Sequence, residues 1–152
     1  MAERLGSEEW SIIATIDPDQ YATNTATLVS DVWDWKNFSK VMAIIQVGDF
    51  GTSASLAGKL QVGVSSATFS TIGTGKKITA LTEAGSDDDK QVIINCNAAE
   101  AGSTGGRYGR LFLGLTKTTS FLSAIVLGKP VRTEAYTSIA AKDLSSVDEI
   151  VA

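Results

Sequence analysis

The feature that most constrains this chain is a succession of short segments in which apolar and polar residues alternate with period two, each closed by Gly, Ser, Thr or Asp. Such alternation places one set of side chains on each face of a strand, whereas a helix needs apolar residues every three to four positions. Trp10, Ile12, Ala14 and Ile16 alternate with Ser11, Ile13 and Thr15 until Asp17-Pro18-Asp19, which has turn chemistry. Residues 24–33 repeat Thr and Val, and Phe38 to Val47 is apolar on both faces, the pattern of a strand near a sheet centre. Leu60, Val62 and Val64 face away from Lys59, Gln61 and Ser65, and shorter candidates follow at 68–72 and 77–81, before a polar loop from Glu83 to Asp89. Val92, Ile94 and Cys96 are in phase, as are Leu111, Leu113 and Leu115. Residues 120–127 carry Phe121, Ile125 and Leu127 on one face with Leu122, Ala124 and Val126 on the other.

Eight or nine strands of this kind, with no helical periodicity before residue 138, predict an all-β fold: a β-sandwich with jelly-roll topology. The sandwich is expected over residues 10–130, after an N-terminal segment at 1–9 and before a C-terminal tail at 131–152 that begins beyond Lys129-Pro130. Ala98 to Ala101 can add one helical turn. In the tail, Leu144, Val147, Ile150 and Val151 fit a short amphipathic helix capped by Ser145 or Ser146. So short a helix cannot bury its own stripe, which makes Leu144, Val147 and Ile150 candidate contacts with a neighbour.

Composition narrows the function. There is one cysteine and no histidine in 152 residues, so an internal disulfide, a four-thiolate zinc site and histidine acid–base catalysis are excluded. The net charge of −4 is spread along the chain with no basic cluster, which argues against direct nucleic-acid binding. No stretch of eighteen apolar residues and no charged-then-apolar leader is present, so neither a membrane partner nor secretion is expected, and synthesis should be cytoplasmic. Charged residues make up only 20% of the chain against 43% apolar, sparse for a free monomer, so part of the surface is expected to lie against a partner.

Each candidate site has a plain structural reading beside it. Trp33 and Trp35 stand two apart and can form a stacking platform for a glycan, with Asp31 and Asp34 nearby for hydroxyl groups; otherwise they plug one end of the sandwich or an interface. Arg107 and Arg110 flank Tyr108 beside the flexible loop Gly102 to Gly106 and can grip an acidic partner, or they are solvated charges of an edge strand. Asp87-Asp88-Asp89 and the pair Asp17 and Asp19 lack the spacing of a calcium loop, so solvated turns are expected and no metal or cofactor is. Glu83, Glu100 and Glu134 show no arrangement of a glycosidase pair, Gly63 to Ala67 is no nucleophile elbow, and Cys96 reads as a buried, inert thiol. An enzyme is not expected.

The order of segments carries a resemblance: Trp10-Ser-Ile-Ile-Ala-Thr-Ile-Asp-Pro-Asp19, then Val32-Trp33-Asp-Trp35 leading into Phe38-Ser-Lys-Val-Met-Ala-Ile-Ile-Gln-Val-Gly48. Leu60-Gln-Val62, Lys77-Ile-Thr-Ala-Leu-Thr82, Lys90-Gln-Val-Ile-Ile-Asn95, Arg107-Tyr-Gly-Arg-Leu111 and Ser123-Ala-Ile-Val-Leu-Gly128 follow. Over residues 10–130 this layout resembles small β-sandwich proteins encoded among the head genes of tailed bacteriophages, which decorate or cement the capsid. The resemblance implies a structural virion protein on the capsid exterior: a homo-oligomer, often a trimer, bridging subunits of the major capsid protein. The alternative is a carbohydrate-binding or receptor-recognising head fibre module.

Overall fold

A computed structural model describes residues 9–21, 25–73 and 75–131. Among the described residues ten strands form in chain order: β1 (Ser11–Tyr21), β2 (Thr25–Val29), β3 (Trp33–Asp34), β4 (Phe38–Phe50), β5 (Ser55–Gly63), β6 (Ser70–Thr71), β7 (Leu81–Thr82), β8 (Gln91–Asn97), β9 (Tyr108–Thr116) and β10 (Ser120–Pro130). One short helix, α1 (Ala98–Gly102), follows β8, where one turn was expected. Asn97 caps it and accepts from the Glu100 N–H, while the Glu100 carboxylate accepts from the Asn97 N–H.

One sheet has the order β1-β10-β4-β8 and the other β2-β9-β5-β6, with β3 also pairing β9 and β7 also pairing β5. All pairings are antiparallel. Counting β2 with β3 and β6 with β7 as interrupted strands, eight strand positions divide between two four-stranded sheets, the chain changing sheet at every step except from β5 to β6–β7, the order of a jelly roll. The predicted all-β sandwich is the observed one.

The core lies between the sheets. β9 gives Leu111, Leu113 and Leu115, β4 gives Phe38, Val41, Ala43, Ile45 and Val47, and β10 gives Leu122, Ala124 and Val126. β5 adds Leu56, Leu60 and Val62, while β8 adds Ile94 and Cys96. The period-two pattern succeeds wherever the ladder is regular and fails where it is not. In β1 the register slips between Ile12 and Ala14, so Ile13 is an extra residue; Ser11 and Ile13 turn inward as well as Ala14 and Ile16, and simple alternation is lost. Asp17-Pro18-Asp19 does not end β1, because a second slip between Ile16 and Asp19 takes up the proline on a strand at the sheet edge. Val64 lies past the end of β5 and is exposed, while Gln61 is buried. The strands expected at 68–72 and 77–81 shrink to two residues each. Between them, the Leu60 N–H donates to Lys76 O and the Ile78 N–H to Gly58 O, so the segment still edges β5.

Candidate interaction surface

Trp33 and Trp35 are 2% and 5% exposed, which corrects their reading as a ligand platform: neither ring offers a face to a glycan. Only Trp33 is on a strand; Trp35 opens a 3₁₀ turn, and the two rings meet edge to face with centroids 5.8 Å apart. Trp33 pairs with Gly109 of β9, and its indole occupies the space a side chain there would take. Neither indole N–H has a hydrogen-bond acceptor among the described residues, so what holds the rings inside is the area they bury. They plug one end of the sandwich.

Arg107 and Arg110 are not edge-strand charges, because β9 lies inside its sheet between β5 and the β2–β3 pair. Arg107 donates from Nε and Nη2 to the same oxygen of Asp34, at 2.9 and 2.7 Å, and lies over the Tyr108 ring. Partial burial raises the Asp34 pKa, but the Arg107 hydrogen bonds, the Lys36 N–H and both positive charges outweigh it and hold the carboxyl below its usual range. Arg110 stacks on Phe69 and donates to Gln61 Oε1 at 2.8 Å, and Lys59 covers the Phe112 ring. The outer face of this sheet therefore has its aromatic groups capped by the chain's own cations. Of the three residues, Arg107 and Tyr108 lie with Asp34, whereas Arg110 is engaged by Gln61 and Phe69.

The acidic loop is a latch. Asp88 accepts from the Phe50 N–H at 2.8 Å and Glu83 from the Ser53 N–H at 3.1 Å, which ties the loop to the β4–β5 turn, while Asp87 accepts from the Thr82 N–H at 2.9 Å and closes the loop on itself. No group of three potential ligands suited to a metal occurs among the described residues. Leu144, Val147 and Ile150 lie outside the described residues, as does the rest of the expected amphipathic helix.

Cys96 is buried against the core as expected, and its thiol is pushed up to about 11: burial dominates, the Glu100 charge adds to it, and Lys76 opposes it. A folded value above the ordinary 9.0 means this contribution to stability is whole below pH 9 and is lost as pH climbs through about 11. Denaturant titrations from pH 8 to 11 should show that loss in the native sequence and a shallower one in Cys96→Val. Identical profiles would remove Cys96 as the cause.

The surface missed by motif reading is the outer face of the sheet β1-β10-β4-β8. Antiparallel register lines up side chains across it: Ile12, Leu127, Met42 and Asn95 in one row, then Thr15, Ile125, Ile44 and Ile93, then Ser123, Gln46 and Gln91. Ile93, Phe121 and Ile125 are 55%, 48% and 37% exposed, and the described residues place no third layer over them. Across these three rows no residue carries a charge. Charges appear only at the two ends. At one, Lys40 and Lys129 pair across the ladder next to a groove lined by Trp10, Met42 and Asn97. At the other, Asp19 and Asp89 line a groove with Phe121 and Gln46.

No protein-family model and no curated protein matches the chain. Among solved structures, that of infectious bursal disease virus, Gx strain, aligns at 9% identity and TM-score 0.42, covering 78% of this chain and 32% of that one. The structure of the Gt strain of the same virus aligns at 10% identity and TM-score 0.27, covering 86% of this chain and 42% of that one. The chain thus spans less than half the length of each of these two chains.

Proposed function

We propose that this chain is a structural virion protein that decorates and cements a tailed-phage capsid, associating with copies of itself and bridging subunits of the major capsid protein on the capsid exterior. The observation that carries the reading is the outer face of β1-β10-β4-β8, an apolar surface with uncharged rows on a rigid sandwich. Contiguous apolar patches of this kind mark protein interfaces, whose centres are depleted in charge. The layout of residues 10–130, which resembles phage decoration proteins, points the same way. The glycan reading loses its stacking platform with the burial of Trp33 and Trp35.

Decoration needs no tight single contact. An oligomer that touches the lattice at several points gains effective concentration with each one, so modest contacts suffice. The test is co-sedimentation of the purified chain with shells assembled from the major capsid protein, beside its native mass by light scattering. The native chain should pellet with shells and exceed one chain mass. Ile44→Lys, which puts a charge in the middle of the outer face, should lower the native mass and weaken shell binding at least about tenfold through lost avidity. A chain that never pellets with shells, at any concentration, overturns the proposal.

A further inference from the structure

The outer face has charges of opposite sign at its two ends. Lys40 and Lys129 stand at one end of the strands and Asp19 and Asp89 at the other, with the uncharged rows between. Among the described residues none of the four is in an ion pair; the three present join Lys36 with Asp34, Lys76 with Glu100 and Arg107 with Asp34. The Lys76–Glu100 pair, 2.9 Å apart beside the lysine end, is self-neutralised and leaves that end positive.

Two copies can stack such faces about a two-fold axis in only two simple ways. With strands parallel, lysines meet lysines and aspartates meet aspartates. With strands antiparallel, the lysine end of each copy lies on the aspartate end of the other, and apolar middle meets apolar middle. We infer that the occupant of this face is a second copy of the chain, docked face to face with strands antiparallel, so that Lys40 and Lys129 of each protomer lie against Asp19 and Asp89 of its partner.

The size of the face fits a contact of modest strength. Four strands about 4.8 Å apart and seven residues at about 3.4 Å each give roughly 450 Å² of projected sheet. A stable interface needs about 800 Å² of accessible surface per partner, so the end grooves must contribute as well. Because an isologous contact pairs copies, it favours an even number of chains; the trimer that the resemblance implies would have to be built on another surface.

The inference rests on reading this face as a protein interface, and its test separates it from the capsid proposal. Two variants of the full chain are made: one with Lys40→Glu and Lys129→Glu, acidic at both ends, and one with Asp19→Lys and Asp89→Lys, basic at both ends. All four side chains are exposed, and thermal midpoints check that each variant folds. The native chain should dimerise, more weakly as salt rises. Each variant alone should dissociate at least about a hundredfold more readily, since like charges face each other at both ends. Mixed, the two should form a heterodimer. A native chain that is monomeric at all concentrations overturns the pairing, as does either variant dimerising like the native chain, or a mixture that fails to recombine. A monomer that still pellets with shells keeps the shell contact of the capsid proposal and removes this pairing together with the self-association, and a dimer with no affinity for shells keeps the pairing and removes the shell contact.

Discussion

Trp33→Ala should destabilise the sandwich by about 3–5 kcal/mol, the range for emptying a buried indole site. The ring is among the largest fully buried side chains, and the space it leaves is walled by Trp35 and the β9 backbone, which cannot collapse into it without breaking the β3–β9 pairing. Trp33→Phe should cost much less than Trp33→Ala, because it keeps an aromatic ring in place and removes a buried N–H that has no acceptor among the described residues. Denaturant midpoints measure both. A Trp33→Ala protein of native stability would return the residue to the surface role first weighed for it.

Gly109→Val should also be severe, at about 3 kcal/mol, the upper part of the range for forcing bulk into a packed core. A Cβ at this position would lie 2.4 Å from two indole atoms of Trp33, so a valine must push the ring out of the core or bend β9 away from β3. The two predictions are coupled. In the double variant Trp33→Ala with Gly109→Val, the new side chain occupies part of the emptied site. Its cost should therefore fall below the sum of the single costs by at least about 1 kcal/mol. Strict additivity would mean that the ring and the glycine do not share one space.

Much of this architecture was legible because strand periodicity survives in sequence wherever the ladder is regular. Leu111, Leu113 and Leu115 in β9, Leu122, Ala124 and Val126 in β10, and Ile94 with Cys96 in β8 all face inward as their spacing predicts. What was hidden lies where tertiary pairing overrides the local pattern. The slip at Ile13 changes which side of β1 faces the core, and Pro18 is accommodated on β1 because its outer edge owes no ladder hydrogen bonds to a neighbour.

The uncovered apolar face was visible yet misread. Phe38 to Val47 is apolar on both faces and does lie inside its sheet, between β10 and β8, but the second apolar face is covered by nothing that the structure describes. Ile44, Ile93 and Ile125 each show only that two faces of one strand are apolar. Register alone places them side by side, and register is not local information. The opposite error occurred with Trp33 and Trp35, where residue type suggested a ligand site and packing uses both as core. For Arg107 the decisive fact, its pairing with Asp34 across seventy-three positions of sequence, is equally non-local.

The strand order also governs how the chain can be made. β10, the last strand among the described residues, sits between β1 and β4 and pairs with both along most of its length. Until it leaves the ribosome, the first half of the chain holds an open slot, with two long strand edges unpaired and its half of the core unfilled. Contacts this distant in sequence form late and slowly, and exposed edges invite wrong partners meanwhile. A polypeptide stopped short of Ser120 therefore has no route to a closed sandwich. Since the same strand supplies Ile125, Leu127 and Lys129 to the outer face, incomplete chains also lack a central strip of that face. Closing the sandwich and completing that face are therefore one event.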